Sequence, residues 1–216
     1  MKLSLKIVAA LILTTQISAC VPVVVGGAAA GGAMAADRRT SGIYVEDENI
    51  ELKANKLIYE ALTGESHVNI TSFKGNVLIT GEVPNEATKA AVEQEARKII
   101  GVREIYNELG IGPVSPLSSR SNDSFIDSKV KARLVDTNQV SANHIKVVTE
   151  RGIVYLMGIV SEREAKVAVA VARTTDGVRK VVNVLEVVSE DETRRIDNQT
   201  LGARNPPPQS APVEKR

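Results

Sequence analysis

The 216-residue sequence has one cysteine, two histidines and no tryptophan. A single thiol excludes a disulfide framework. One thiol and two imidazoles also fall short of a Cys/His zinc site of the usual ligand count. Aromatic residues make up only 3 %, so any core must be built from Val, Ile, Leu and Ala. An excess of charge of one sign is missing too. The 27 Lys and Arg are matched by 26 Asp and Glu, which argues against a dedicated nucleic-acid binder, because such proteins carry a basic excess. Motifs for a cofactor are also lacking. The pairs Gly26-Gly27 and Gly31-Gly32 have neither a preceding strand nor a following Lys-Ser/Thr, so they make no phosphate loop, and no Asp/Asn-rich calcium loop occurs. No cofactor and no metal ligand set is expected.

What is present begins at the N-terminus. Lys2 and Lys6 precede the short apolar run Ile7–Leu13, which reads as a secretory signal and is too short to span a bilayer. The pattern Ile17-Ser18-Ala19-Cys20 resembles the lipobox of bacterial lipoproteins, with Ile where Leu is commoner. That resemblance implies a signal peptide over 1–19 and acylation of Cys20 on its thiol and its new amine. Several chains, at about 0.8 kcal/mol per buried CH2, anchor stably where one would not. Val21 follows Cys20 with no Asp, which by likeness to lipoprotein sorting implies the outer membrane, periplasmic face, lipid-anchored. Residues 20–42 then form the acylated Cys and a Gly/Ala-rich tether. Loss of Lys2 and Lys6 moves the formal charge from +1 to −1.

The rest of the chain repeats itself. Lys74–Val83 (KGNVLITGEV) aligns with Arg151–Val160 (RGIVYLMGIV) at an offset of 77. Gly101-Val102-Arg103 matches Gly177-Val178-Arg179 at 76. Each copy reads as helix, two strands, helix, strand. Ile50, Ala54, Leu57, Ile58, Ala61 and Leu62 recur at helical spacing in the first copy, and Ile126, Val130 and Leu134 in the second, with Asp123 or Ser124 as its N-cap. Strands follow at His67–Phe73 and Asn76–Val83, and at His144–Thr149 and Ile153–Val160. Gly75 and Gly152 supply the turns. Val77, Ile79 and Val83 alternate toward one face, as do Val154, Leu156 and Val160. Ser161-Glu162-Arg163-Glu164 is a capping box. A closing strand reached through a helix pairs in parallel, so each sheet should be mixed. The fold class is α+β, with a three-stranded mixed sheet packed on two helices in each copy.

This αββαβ order, with glycine-flanked central strands and a Gly-Val start to the last strand, resembles the BON domain. Two such domains behind a lipobox, with Asp37-Arg38-Arg39-Thr40 after the tether and Asn122-Asp123-Ser124-Phe125-Ile126 opening the second, resemble the dual BON-domain outer-membrane lipoprotein family, the division- and outer-membrane-stress-associated lipid-binding proteins. The domain reading is 43–111 for the first, 112–119 for a linker, 120–188 for the second and 189–216 for a disordered Pro-containing tail.

Chemistry is sparse. His67 and His144 occupy equivalent places in separate copies, which suggests structural or exposed roles, and Ser161 is explained by its cap. No catalytic residue is expected. The copies differ most in their first helices. Asp47–Leu62 is net −2, whereas Ser124–Leu134 is net +2, and Phe125, Lys129 and Arg133 fall on one stripe at i, i+4 and i+8. An aromatic ring with cations suits an anionic membrane surface. The family resemblance implies phosphatidylglycerol-like phospholipid as the partner, with an aromatic at the place of Phe125. The candidate phospholipid-binding residues are Phe125, Ser128, Lys129, Ala132 and Arg133. The rival function is a protein-interaction adaptor of an envelope assembly or division machinery, docking through the acidic helix and sheet of the first copy.

Overall fold

A computed structural model describes residues 37–62 and 64–202. Cys20, the signal peptide, most of the tether and the Pro-rich residues 203–216 lie outside the described residues.

The first repeat contains α1 (Ser41–Ala61), β1 (His67–Phe73), β2 (Asn76–Val83), α2 (Glu86–Arg97), β3 (Glu104–Asn107) and β4 (Gly110–Ile111). The second contains α3 (Leu117–Thr137), a 3-10 turn (Ala142–His144), β5 (Ile145–Glu150), β6 (Ile153–Ser161), α4 (Glu162–Arg173) and β7 (Lys180–Val188). The helix α5 (Glu190–Gly202) follows. Both sheets are mixed. β1 pairs antiparallel with β2, and the last strand, split into β3 and β4, pairs with β2 in parallel. β5, β6 and β7 repeat the arrangement with an unbroken last strand. Among the described residues, no helix is long and apolar enough to cross a membrane.

The periodic residues go where their spacing sends them. Ile50, Ala54 and Ile58 of α1 bury against Val77, Ile79 and Val83 of β2, with Leu57 and Leu62 partly covered. Ile126, Val130 and Leu134 of α3 bury against Val154, Leu156 and Val160 of β6. Ala168 and Ala172 let α4 lie close on that sheet. The capping box forms as read: Ser161 Oγ accepts from Glu164 N and Glu164 Oε2 accepts from Ser161 N. Ser161→Ala should lower the stability by about 1 kcal/mol, seen as a lower urea midpoint at unchanged slope.

Three local readings need correction. α3 does not begin at Asp123 or Ser124. Its N-cap is Pro116, and Asp123 sits buried in the second turn. There its carboxylate accepts the N–H groups of Arg151 (2.9 Å) and Gly152 (2.8 Å) from the β5–β6 turn. Asp47, at the same place in α1, does this for Lys74 (2.7 Å) and Gly75 (2.9 Å). Both turns hold two residues at positive φ: Lys74 and Gly75 at 55° and 77°, Arg151 and Gly152 at 50° and 73°. That is the geometry of a tight hairpin turn, and it leaves two N–H groups pointing off the sheet end for a carboxylate to collect. Second, β5 starts at Ile145, because His144 closes the 3-10 turn. Third, the tail is not disordered from 189. Glu190–Gly202 is helical, with Asp197 tied to Arg38 and Ile196 packed on the sheets.

The two domains meet sheet to sheet. The faces turned away from the helices bring Phe73 and Leu78 of the first against Tyr155, Met157, Ile159 and Val184 of the second. Ion pairs close the rim across the domains, Lys74 to Glu186 at 2.7 Å and Lys146 to Glu51 at 2.8 Å. The segment Asp37–Arg39 crosses the same rim. Arg38 reaches Glu164 and the Ile159 carbonyl of the second domain, and Arg39 reaches Asp47 of the first.

Candidate functional site

Two places gather candidate functional side chains. One is the outer surface of α3. Phe125 is 62 % exposed, and Leu117 and Val135 of the same helix are 71 % and 59 % exposed. At 100° per residue, Leu117, Phe125, Ser128, Ala132 and Val135 fall within an arc of about 80°. Ile126, Val130 and Leu134, facing the core, lie on the other side. The apolar arc is bordered by Lys129 and Arg133 on one edge and by Lys131 on the other, where Arg120 is half-buried beside His67 and Glu150. The sequence reading missed Leu117 and Val135 because it started the helix at Ser124 and ended it at Leu134. Pro116, well placed ahead of a helix, was the available signal.

The cations on this face are not idle. Lys129 Nζ lies 4.9 Å from the centre of the Phe125 ring and donates to the Asp176 carbonyl at 2.6 Å. Arg133 donates to the Val171 carbonyl and to the hydroxyls of Thr174 and Thr175, so it caps the C-terminal end of α4. Lys131 pairs with Asp127 at 2.7 Å but is half exposed. Over its whole length α3 has four cations against three carboxylates, whereas α1 has five carboxylates against two lysines, so the charge contrast between the copies persists. α1 also carries an exposed apolar row, Val45, Leu52 and Tyr59, in this acidic setting.

The second place is at the domain rim. His67 Nδ1 lies 3.3 Å from Glu82 Oε2 and 3.9 Å from Glu150 Oε1. His67 and Glu82 are cross-strand partners on β1 and β2, and Glu150 ends β5 of the other domain. Glu82 and Glu150 are both buried. Glu82 accepts from the N–H and the hydroxyl of Ser115, and Arg151 Nε lies 3.7 Å away. Glu150 accepts from Asn69 at 3.1 Å. Burial pushes the Glu150 carboxyl above its ordinary value. Asn69 and His67 lower it, while Glu82 and Asp123 add to the rise. These three ligand atoms lie within 4.8 Å of one another, the one such grouping of a His with carboxylates among the described residues. His144 has no such company. Burial, and next Arg38, hold its imidazole below the ordinary value, against Asp197, Glu164 and Asp37. The two histidines therefore do not share a site. Each meets residues of the other domain or of the Asp37–Arg39 strap, which repeat spacing could not show.

A tandem αββαβ pair, sheet against sheet, defines the class of protein. The model of the BON domain matches residues 46–113 and 122–189, and the chain belongs to that family, as an outer-membrane lipoprotein with two BON domains. It is 34 % identical over 175 residues to "Outer membrane lipoprotein DolP" of Haemophilus influenzae, covering 80 % of this chain and 91 % of that one. It is 36 % identical over 154 residues to the "21 kDa hemolysin" of Actinobacillus pleuropneumoniae, covering 70 % and 79 %. With "Osmotically-inducible protein Y" of Escherichia coli it shares 26 % over 149 residues, covering 67 % and 74 %. None of these three names is that of an enzyme.

Proposed function

We propose that the protein is a non-enzymatic, Cys20-acylated envelope component that binds anionic, phosphatidylglycerol-like phospholipid through α3 and so supports outer-membrane integrity. The observation that carries this is the exposed apolar arc of α3, Leu117, Phe125, Ala132 and Val135, edged by cations on both sides. Such a face can sink its rings and branches to the acyl boundary while Lys and Arg stay level with the phosphates. Each cation near an anionic surface contributes about 1 kcal/mol, and burying a Phe about 1.5–3 kcal/mol. These are weak contacts alone. Acyl tethering strengthens them further, because it turns docking into an effectively intramolecular step. Ser128 lies within the arc, while Lys129 and Arg133 serve partly as internal braces, so Lys131 is the cleaner charge to test.

In flotation with an unacylated chain (residues 21–216), vesicles containing phosphatidylglycerol should capture the protein and phosphatidylcholine vesicles should not. Phe125→Ser and Lys131→Glu should each weaken capture about tenfold or more. Equal capture by neutral vesicles, or indifference to both substitutions, would sink the proposal. The row Val45, Leu52 and Tyr59 on acidic α1 favours a second role as a protein adaptor. Leu52→Ser should then release a co-purifying envelope protein and leave vesicle capture intact.

A further inference from the structure

We infer that His67, Glu82 and Glu150 form a binding site for a divalent cation of the zinc class, which clasps the two BON domains together. The donor set is one imidazole nitrogen and two carboxylates, a combination suited to zinc, with room for water in an open position. A tetrahedral centre with bonds near 2.0–2.1 Å sets its ligands about 3.3 Å apart. The observed 3.3 Å and 3.9 Å spacings around His67 Nδ1 need only small movements to meet that.

The surroundings point the same way. His67 Nδ1 is buried and makes no hydrogen bond, although it stands between two carboxylates. A cavity of about 440 Å³ opens beside it under α3. Three more buried polar atoms without hydrogen-bond partners belong to residues lining that cavity: Arg120 Nε, Asp127 Oδ1 and Thr149 Oγ1. Buried polar groups are rarely left unsatisfied, and the bare Nδ1 between two buried carboxylates is the one that a cation would answer. The ligands are also oriented from behind, Glu82 by Ser115 and Glu150 by Asn69, as ligating carboxylates usually are. Asn69 Nδ2 touches His67 Nε2 at 3.3 Å as well. On binding at Nδ1, the imidazole proton moves to Nε2 on the exposed side, while the Asn69 amide stays on Glu150.

The repeat sharpens the case. At the equivalent rim position of the second repeat, Ile159 stands where Glu82 stands in the first, and His144 where His67 stands. There the chain provides its own cation, since Arg38 bonds the Ile159 carbonyl, Glu164 and Asp197. Likewise Glu150 stands where the first repeat has Phe73, which is covered by the Arg39 guanidinium. The Glu82–Glu150 rim has buried acid from both domains, with Arg151 set back and partly exposed. A metal ion would do there what the two arginines do on the other side. Because Glu150 comes from the second domain, affinity for the ion would depend on the docked arrangement.

The test uses the full chain in detergent, stripped with chelator and without a histidine tag. Zinc titrated by calorimetry should bind one ion per chain, and cobalt in its place should give visible d–d absorption. His67→Ala should abolish both signals. Glu150→Gln, on the other domain, should weaken zinc binding about tenfold or more while far-UV circular dichroism stays native. Lys146→Ala, which breaks a cross-domain ion pair but offers no ligand, should leave the affinity unchanged. The inference is overturned by the lack of a saturable site, by binding that survives His67→Ala and Glu150→Gln, or by an equal loss in Lys146→Ala. Lipid is absent throughout, so the outcome is independent of vesicle capture.

Discussion

Asp47→Ala should lower the stability of the chain by about 3–5 kcal/mol, and Asp123→Ala by about half as much. The two aspartates occupy the same place in their repeats and collect the same two turn N–H groups, so a purely repeated role would predict equal losses. Asp47 does more. Its carboxylate also accepts the Ser72 hydroxyl at 2.7 Å and pairs with Arg39 at 2.8 Å, and it is almost fully buried. Arg39 is itself buried over the Phe73 ring. Removing Asp47 therefore strands three donors and deprives a buried guanidinium of one carboxylate, whereas removing Asp123 strands two backbone donors. Burial raises the Asp47 carboxyl. The N–H of Gly75, the Ser72 hydroxyl, the N–H of Lys74 and Arg39 together outweigh it, so the folded value lies below the ordinary one. This stability is therefore present above the unfolded value near 3.9 and is lost as pH falls through the folded value. Chemical denaturation at pH 7 measures both variants. A difference between them under 1 kcal/mol would show that the extra partners of Asp47 contribute nothing net.

The same residues show how far sequence reasoning reached. Helical spacing and alternation located both cores, because burial on one face imposes a period that survives in Ile50, Ala54 and Ile58 or in Val154, Leu156 and Val160. The second face of each sheet was not read, although its signal was present. Ile153–Val160 is apolar almost without interruption, which marks a strand covered on both sides, and Tyr155, Met157 and Ile159 are the half that meets the other domain. In the first copy that face carries Leu78, Thr80 and Glu82, too polar to announce an interface, yet Glu82 is buried because the second domain covers it. Asp123 looked like a helix cap because short acids before an apolar stripe usually are. Its true partner is a turn 28 residues away in sequence. The reading of Phe125 as a membrane contact rests on the contrast between copies and on the family resemblance; the structure leaves its ring exposed on α3. The spending of Arg133 on α4 could not be read, because it depends on where the end of α4 falls in space.

Arg38 carries the last expectation. Arg38→Ala should cost about 3–5 kcal/mol at pH 7, because its side chain is buried and its guanidinium makes five hydrogen bonds across the strap, the second domain and α5. Two go to Glu164, two to Asp197 and one to the Ile159 carbonyl. Arg38→Lys should recover only part of the loss, since an ammonium cannot fork to two carboxylates at once. The pH dependence separates this from a generic packing defect. In the native chain burial raises the Glu164 and Asp197 carboxyls, yet hydrogen bonds from Arg38 bring both below their ordinary values, so their contribution is held above pH about 4 and lost as the pH falls. His144 works in the other range. Its imidazole is held low by burial and then by Arg38, so stability declines as the pH drops below about 6.5, where the unfolded chain takes up a proton that the folded one refuses. Without Arg38, the imidazole remains beside Glu164, Asp197 and Asp37 with no guanidinium opposing it, and its protonation partly replaces the missing cation. The deficit of Arg38→Ala should therefore be smaller at pH 5.5 than at pH 7.5, read by denaturant midpoints at the two values. A deficit that stays constant or grows on acidification would mean that the strap works by shape alone, and that the charge of Arg38 is not what joins the N-terminal segment to the second domain.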